Sequence, residues 1–229
     1  MLSKLIESLL RANFAVAVFD LPGHGLSSGA AADIEDFEQY TQSLKDFLSV
    51  LEPQMAGPYH LIGYSTGGSC AIDYLLMERG EDFDKVILAA PLIHSVFWGT
   101  SKIGSKLGWL FGKHVRRVFR RISSDAEFLR FVKNKDPLQA RKVSFRWTKA
   151  LYNWNDRIAS AEASEKPIFV IQGIADKTVD YKFNIRFLRS KFPDVQVKFI
   201  ENARHELFNE SVEIRQEVFS QIKSWLKNE

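Results

Sequence analysis

The amino-acid sequence predicts a layered α/β architecture: one domain over residues 1–229, with a mostly parallel sheet flanked by helices. Three observations carry that expectation. Short apolar runs within residues 14–20, 85–90 and 168–172 alternate with stretches of helical periodicity, the pattern of parallel strands buried on both faces. Gly63-Tyr64-Ser65-Thr66-Gly67 follows the apolar residues Tyr59, Leu61 and Ile62 and leads into a helix-compatible stretch, which is the strand, sharp turn and helix of a nucleophile elbow. Finally, 229 residues with 45% hydrophobic content and no low-complexity tract suffice to bury a full core.

In chain order, residues 2–10 have helical spacing, and Phe14-Ala15-Val16-Ala17-Val18-Phe19-Asp20 reads as a buried parallel strand. The following Leu21-Pro22-Gly23-His24-Gly25-Leu26-Ser27-Ser28-Gly29 is a shaped loop; His24 is read as bracing it rather than as a catalytic base, because a later histidine suits that role better. Residues 33–51 predict a helix with an acidic first turn (Asp33, Glu35, Asp36) and an apolar face formed by Ile34, Phe37, Leu44, Leu48 and Leu51, stopped by Pro53. At the elbow, the turn forces Ser65 toward unfavourable dihedrals and packs helix against strand, so Gly63 and Gly67 are both expected to be required, with Gly68 relieving the next position.

A helix over residues 68–78 and a strand over 85–90, ended by Pro91, complete the first half. From residue 92 to about 165 the alternation is lost, and aromatic and basic residues at helical spacing predict a helical cap inserted after the third strand, over the carboxyl edge of the sheet. Its best-defined piece is an amphipathic helix over residues 107–122, with Leu107, Phe111, Val115, Val118, Phe119 and Ile122 on one arc and Lys113, Arg116, Arg117, Arg120 and Arg121 opposite. A strand over 168–172, a helix to about residue 192, a strand over 195–200 and an amphipathic helix over 211–226 close the chain.

Ser65, Asp176 and His205 each fall just beyond the carboxyl end of a different expected strand, in the chain order Ser, Asp, His. Nucleophilic acyl transfer needs these groups. A serine hydroxyl is a poor nucleophile until a base such as His205 takes its proton, and a carboxylate must fix the imidazole tautomer and stabilise its cation. Asp176 is the choice for the carboxylate; Asp180 competes, but it opens the next helix and is better explained as an N-terminal cap. Thr66, which follows the nucleophile, offers a backbone N–H to the oxyanion.

Charge is unevenly distributed beneath a net value of +3: residues 102–149 hold 14 Lys/Arg against 3 acids, and the remainder 17 against 25. A basic face of this kind is ordinarily solvated, and it also suggests peripheral contact between the cap and an anionic membrane. No nucleic-acid-binding motif accompanies it, so nucleic acid is not an expected partner. The single cysteine, Cys70, excludes an internal disulfide and reads as a packed core thiol, compatible with a reducing, cytoplasmic location. Residues 1–18 are interrupted by Lys4, Glu7, Arg11 and Asn13 and carry neither an export signal nor a membrane span.

The chain resembles the α/β-hydrolase superfamily, and within it the monoacylglycerol lipase and lysophospholipase-like serine hydrolases, often named serine aminopeptidase-like. The matching residues are the run 20–29 (Asp-Leu-Pro-Gly-His-Gly-Leu-Ser-Ser-Gly), Gly63-Tyr64-Ser65-Thr66-Gly67-Gly68, Gly173-Ile174-Ala175-Asp176 with Val179-Asp180, and Ala203-Arg204-His205-Glu206-Leu207. The resemblance implies hydrolysis of carboxylic esters of small, lipid-like monoacyl substrates, with no metal or cofactor. The segment 92–165 would be the acyl-binding lid, lined in part by Trp98, Trp109, Phe111, Trp147 and Trp154.

The family places three strands ahead of the one matched by residues 14–20. The third of them lies beside the elbow strand and ends in a His-Gly loop that supplies a second oxyanion donor. Those strands have no counterpart here, so the resemblance also implies an N-terminally truncated chain with a gap or a forced pairing between its first two strands. The alternative to an esterase is then an impaired hydrolase-fold protein that only binds an acyl ligand. Oligomeric state is not indicated by the sequence.

Overall fold

A computed structural model describes residues 2–99, 114–116 and 120–227. In chain order its elements are α1 (Ser3–Leu10), α2 (Glu38–Leu51), β1 (Tyr59–Tyr64), α3 (Thr66–Met77), β2 (Phe83–Ala89), β3 (His114–Arg116), α4 (Ala126–Asn134), β4 (Lys142–Ser144), α5 (Phe145–Ser160), β5 (Ile168–Gly173), α6 (Tyr181–Lys191), β6 (Val195–Ile200) and α7 (Val212–Lys227), with a single 3₁₀ turn at Leu207–Asn209 before α7. The central sheet is parallel, in the order β1-β2-β5-β6, and β3 pairs antiparallel with β4 in a separate two-stranded ribbon.

The sheet is a layer with helices on both faces, as its composition demands. Val86, Ile87, Leu88, Ile168, Val170 and Ile171 are fully buried, the condition of strands covered above and below. Their side chains alternate between the two sides: Val86 and Leu88 pack with α2, α3, α5 and α6, whereas Ile87 and Ala89 pack with α1 and α7. Register places Tyr64 beside Ala89, Ala89 beside Ile171 and Gly173 beside Ile200, so the carboxyl ends of the strands form one edge.

Residues 14–20 are not a strand. They have no regular structure and no ladder partner, and among the described residues no backbone hydrogen bond is made by residues 15–19. An apolar run becomes a strand only when a neighbour supplies donors and acceptors, and β1 pairs on one side only, with β2. The side chains still divide as a strand's would: Phe14 meets His60 edge-on at 6.1 Å and Val16 joins the α1/α7 side, while Phe19 stacks on Phe47 of α2 at 4.6 Å.

The helix expected from residue 33 begins at Glu38. Its intended acidic first turn is used otherwise: Asp36 accepts the Glu38 N–H at 2.8 Å in a turn ahead of the helix, and Asp33 holds the guanidinium of Arg146 at 2.6 Å and the Ser144 hydroxyl. The amphipathic helix expected over 107–122 lies mostly outside the described residues. Where it can be followed it is not helical: His114–Arg116 pairs as a strand with Lys142–Ser144, and residues 120–122 are irregular. Local periodicity has yielded there to a tertiary pairing.

Within the segment expected to be a cap, α5 belongs to the body. Trp154, expected in the acyl pocket, is 1% exposed, stacks on Phe37 at 5.1 Å and donates its indole N–H to Asp73 of α3 at 3.1 Å. Trp147 is half-buried and donates to the Tyr40 hydroxyl at 2.9 Å; Trp109 and Phe111 lie outside the described residues. Cys70 is buried on α3, and burial pushes its thiol up to about 12. No described helix is long and apolar enough to cross a membrane.

Candidate active site

Ser65 stands between β1 and α3 with φ 51° and ψ −113°, a left-handed conformation that is strained for a side chain with a Cβ. Three contacts hold it there. Its N–H donates to Ala89 O at 3.0 Å, and its carbonyl accepts from Leu92 N at 3.1 Å and Ser69 N at 3.2 Å. Close approach of α3 to β1 requires Gly63, where a Cβ would stand 2.7 Å from Gly67 O, and Gly68, where it would stand 2.9 Å from Pro91 Cβ. Gly67 itself is not sterically required: a Cβ there meets nothing within 4 Å. No side chain caps α3, so the amides that begin with Thr66 are left for another acceptor.

The three residues singled out at the strand ends come together. Ser65 Oγ lies 2.9 Å from His205 Nε2, and His205 Nδ1 lies 2.8 Å from Asp176 Oδ2. Asp176 is also fixed by the Thr178 N–H at 2.7 Å and the Val179 N–H at 3.3 Å on Oδ1, and by Gln172 Nε2 at 3.2 Å on Oδ2. Burial alone would raise its affinity for a proton, but the hydrogen bond and charge of His205, with the Thr178 and Gln172 donors, outweigh it and hold the carboxyl below the ordinary 3.8. His205 is 5% exposed, with Tyr64 tilted against its ring at 5.5 Å. Asp180 sits one turn on and accepts from Phe183 N at 3.1 Å as the cap of α6.

Residues 1–212 match the family described as serine aminopeptidase, S33 (Hydrolase_4). The chain belongs to this α/β-hydrolase family. Among curated relatives of this hydrolase, phospholipase YtpA of Bacillus subtilis is 26% identical over 96% of this chain and 87% of its own length. The monoglyceride lipase of Rattus norvegicus is 28% identical over 98% of this chain and 77% of its own. Among solved structures, the Paleococcus ferrophilus monoacylglycerol lipase superposes with a TM-score of 0.83 at 25% identity, covering 98% of this chain and 88% of that one.

Several residues around this hydrolase's site are not apparent from motif reading. Gln172 is a buried polar residue next to the end of an apolar strand, and it reaches Asp176; a polar residue in that place is the signal that could have singled it out. Gly173 gives the acid loop room to lie against Ala203 and Arg204. Arg120, expected on a solvated basic face, donates to Lys177 O at 2.8 Å and stands 4.4 Å over the Phe97 ring. His24 lies with Nδ1 3.1 Å from Pro22 O and its ring edge-on to Tyr40.

A cavity of about 250 Å³ lined by Val96, Asp176, Val179 and Tyr181 adjoins the acid. A larger one, about 380 Å³, is lined by Met77, Arg79 and Arg157 and opens at the far end of α3, roughly 18 Å along that helix from Ser65. Of these two, the smaller is the one that touches a member of the Ser65–His205–Asp176 cluster.

Proposed function

We propose that this carboxylic ester hydrolase cleaves lipid-like monoacyl esters, monoacylglycerol or lysophospholipid in class, through an acyl-enzyme on Ser65. His205 takes the serine proton and returns it to the leaving alcohol, then activates the water that releases the acyl group; Asp176 orients the imidazole and stabilises its cation. Thr66 N–H is the proposed donor to the oxyanion, at the uncapped start of α3. What carries the proposal is the unbroken relay of contacts, 2.9 Å from Ser65 Oγ to His205 and 2.8 Å from His205 to Asp176. The substrate class is supported by the phospholipase and monoglyceride lipase names of the relatives. Val96 and Phe97, which remain exposed beside the acid loop, offer apolar surface for an acyl chain.

The test is labelling by a fluorophosphonate, compared with release from p-nitrophenyl esters and from 1-monoacylglycerol. Wild type should be labelled once and should turn over, and Ser65→Ala should do neither. Labelling that persists in Ser65→Ala would remove the nucleophile assignment.

A further inference from the structure

We infer that Glu210 is a positioning residue for His205, and that it ties the histidine loop to residues 120–125; this rests on the proposed roles of Ser65 and His205. Glu210 is fully buried, and among the described residues no lysine or arginine forms an ion pair with it. A carboxylate in such a place is retained only if strong donors surround it. They do. Oε1 accepts the backbone N–H of Arg204 at 2.5 Å, and Oε2 accepts the Ser124 N–H at 2.5 Å as well as the Ser124 hydroxyl.

The Arg204 bond closes residues 204–210 into a ring through the Glu210 side chain, and His205 is the second member of that ring. The Oε2 bonds join the ring to the neighbouring strap, where further contacts reinforce the seam: Glu206 N donates to Ile122 O at 2.9 Å, Ser123 Oγ to Asn209 O at 2.6 Å, and Ser211 N to Ser124 Oγ at 3.0 Å. The same strap reaches the acid loop through Arg120 and Lys177 O. One short stretch of chain is thus stapled to the loops of both the base and the acid, with Glu210 as the buried joint.

Glu210→Gln is isosteric but has only one oxygen, so its amide NH₂ must face either the Arg204 N–H or the Ser124 N–H, two donors meeting without an acceptor. Loss of placement by about 1 Å at a reacting group costs on the order of 10²-fold. In the full chain, well below its melting temperature, Glu210→Gln should lower kcat about 10- to 100-fold with KM within about twofold, and slow fluorophosphonate labelling by the same factor. Amide exchange should quicken in residues 203–209 and 122–125 and stay unchanged in β2 and β5. Should Glu210→Gln not fold, Ser124→Ala, which removes only the hydroxyl, should still give a smaller fall in kcat, about two- to fivefold, and faster exchange in residues 204–209.

A folded Glu210→Gln with wild-type kcat, or one whose kcat falls only as its melting temperature is approached, would overturn the inference. Unaltered exchange at residues 203–209 would do the same. A wild-type chain that neither labels nor turns over would instead refute the proposed function, and the exchange measurement would then decide the role of Glu210 alone.

Discussion

Replacing Gly173 by alanine should disable the site while leaving all three of its polar side chains in the sequence. Gly173 ends β5 opposite Ile200, and a Cβ placed on it would stand 2.4 Å from Ala203 O and 2.6 Å from Arg204 O. Both obstacles are backbone atoms, so no rotamer change relieves them. Restoring an ordinary contact of 3.4 Å requires β5 and the 203–204 turn to part by about 1 Å. The turn leads directly into His205, and Ala203 O is also the acceptor for Ala175 N at 2.9 Å, next to Asp176. The displacement therefore separates the loop of the base from the loop of the acid. A shift of about 1 Å at reacting groups costs roughly 10²-fold in rate, and overpacking of this kind costs about 1–3 kcal/mol of stability. Steady-state hydrolysis of p-nitrophenyl butyrate should show kcat about 10²-fold lower with KM little changed, and thermal melting should fall by about 2–12 °C. A folded Gly173→Ala protein with wild-type kcat, measured well below both melting temperatures, would refute the steric account.

Other outcomes follow from the same geometry. Gly67→Ala, the counterpart at a glycine with open space, should keep kcat within about twofold and gain up to about 1 kcal/mol from helix propensity in thermal melting. Asp176→Asn should lower kcat about 10⁴-fold, because the amide favours the wrong imidazole tautomer. The folded pKa of Asp176 is depressed, so its stabilising contribution is present above the unfolded value and lost as pH falls through the folded one. Urea unfolding of wild type and Asp176→Asn should therefore differ by a constant amount near neutral pH and converge in acid below 3.8. In hydrogen exchange, amides of residues 15–19 should exchange like open chain while those of residues 86–88 and 169–171 are protected.

The parts of the fold legible in the sequence are those decided by local pattern. Val86–Ile87–Leu88 and Ile168–Phe169–Val170–Ile171 are apolar at every position and became the buried centre of the sheet. The run 14–20 carries the same signal and failed, since strand formation is a property of a pair and the second member is not beside it. At residues 114–116 the amphipathic period was genuine, yet the ribbon with Lys142–Ser144 prevailed over it. The acids 33, 35 and 36 suited a helix start by composition, but a distant arginine, Arg146, claimed two of them.

For the candidate site, sequence position located the side chains and could not locate what holds them. Ser65, Asp176 and His205 stand at strand ends and are visible as motifs, whereas the bonds that fix their backbones join residues far apart: Ser65 with Ala89 and Leu92, Ala175 with Ala203, and Glu210 with Arg204 and Ser124. Strain makes this scaffold necessary. A serine at φ 51° costs on the order of 1–3 kcal/mol and persists only where its surroundings leave it no alternative. Two glycines remove the steric barrier to that turn, and three backbone hydrogen bonds then hold it against relaxation. The base is carried on a loop beyond β6 and is held by several bonds at once: Asp176 on its ring, Ile122 O on the Glu206 N–H, and the buried Glu210 carboxylate, which closes the loop on the Arg204 N–H.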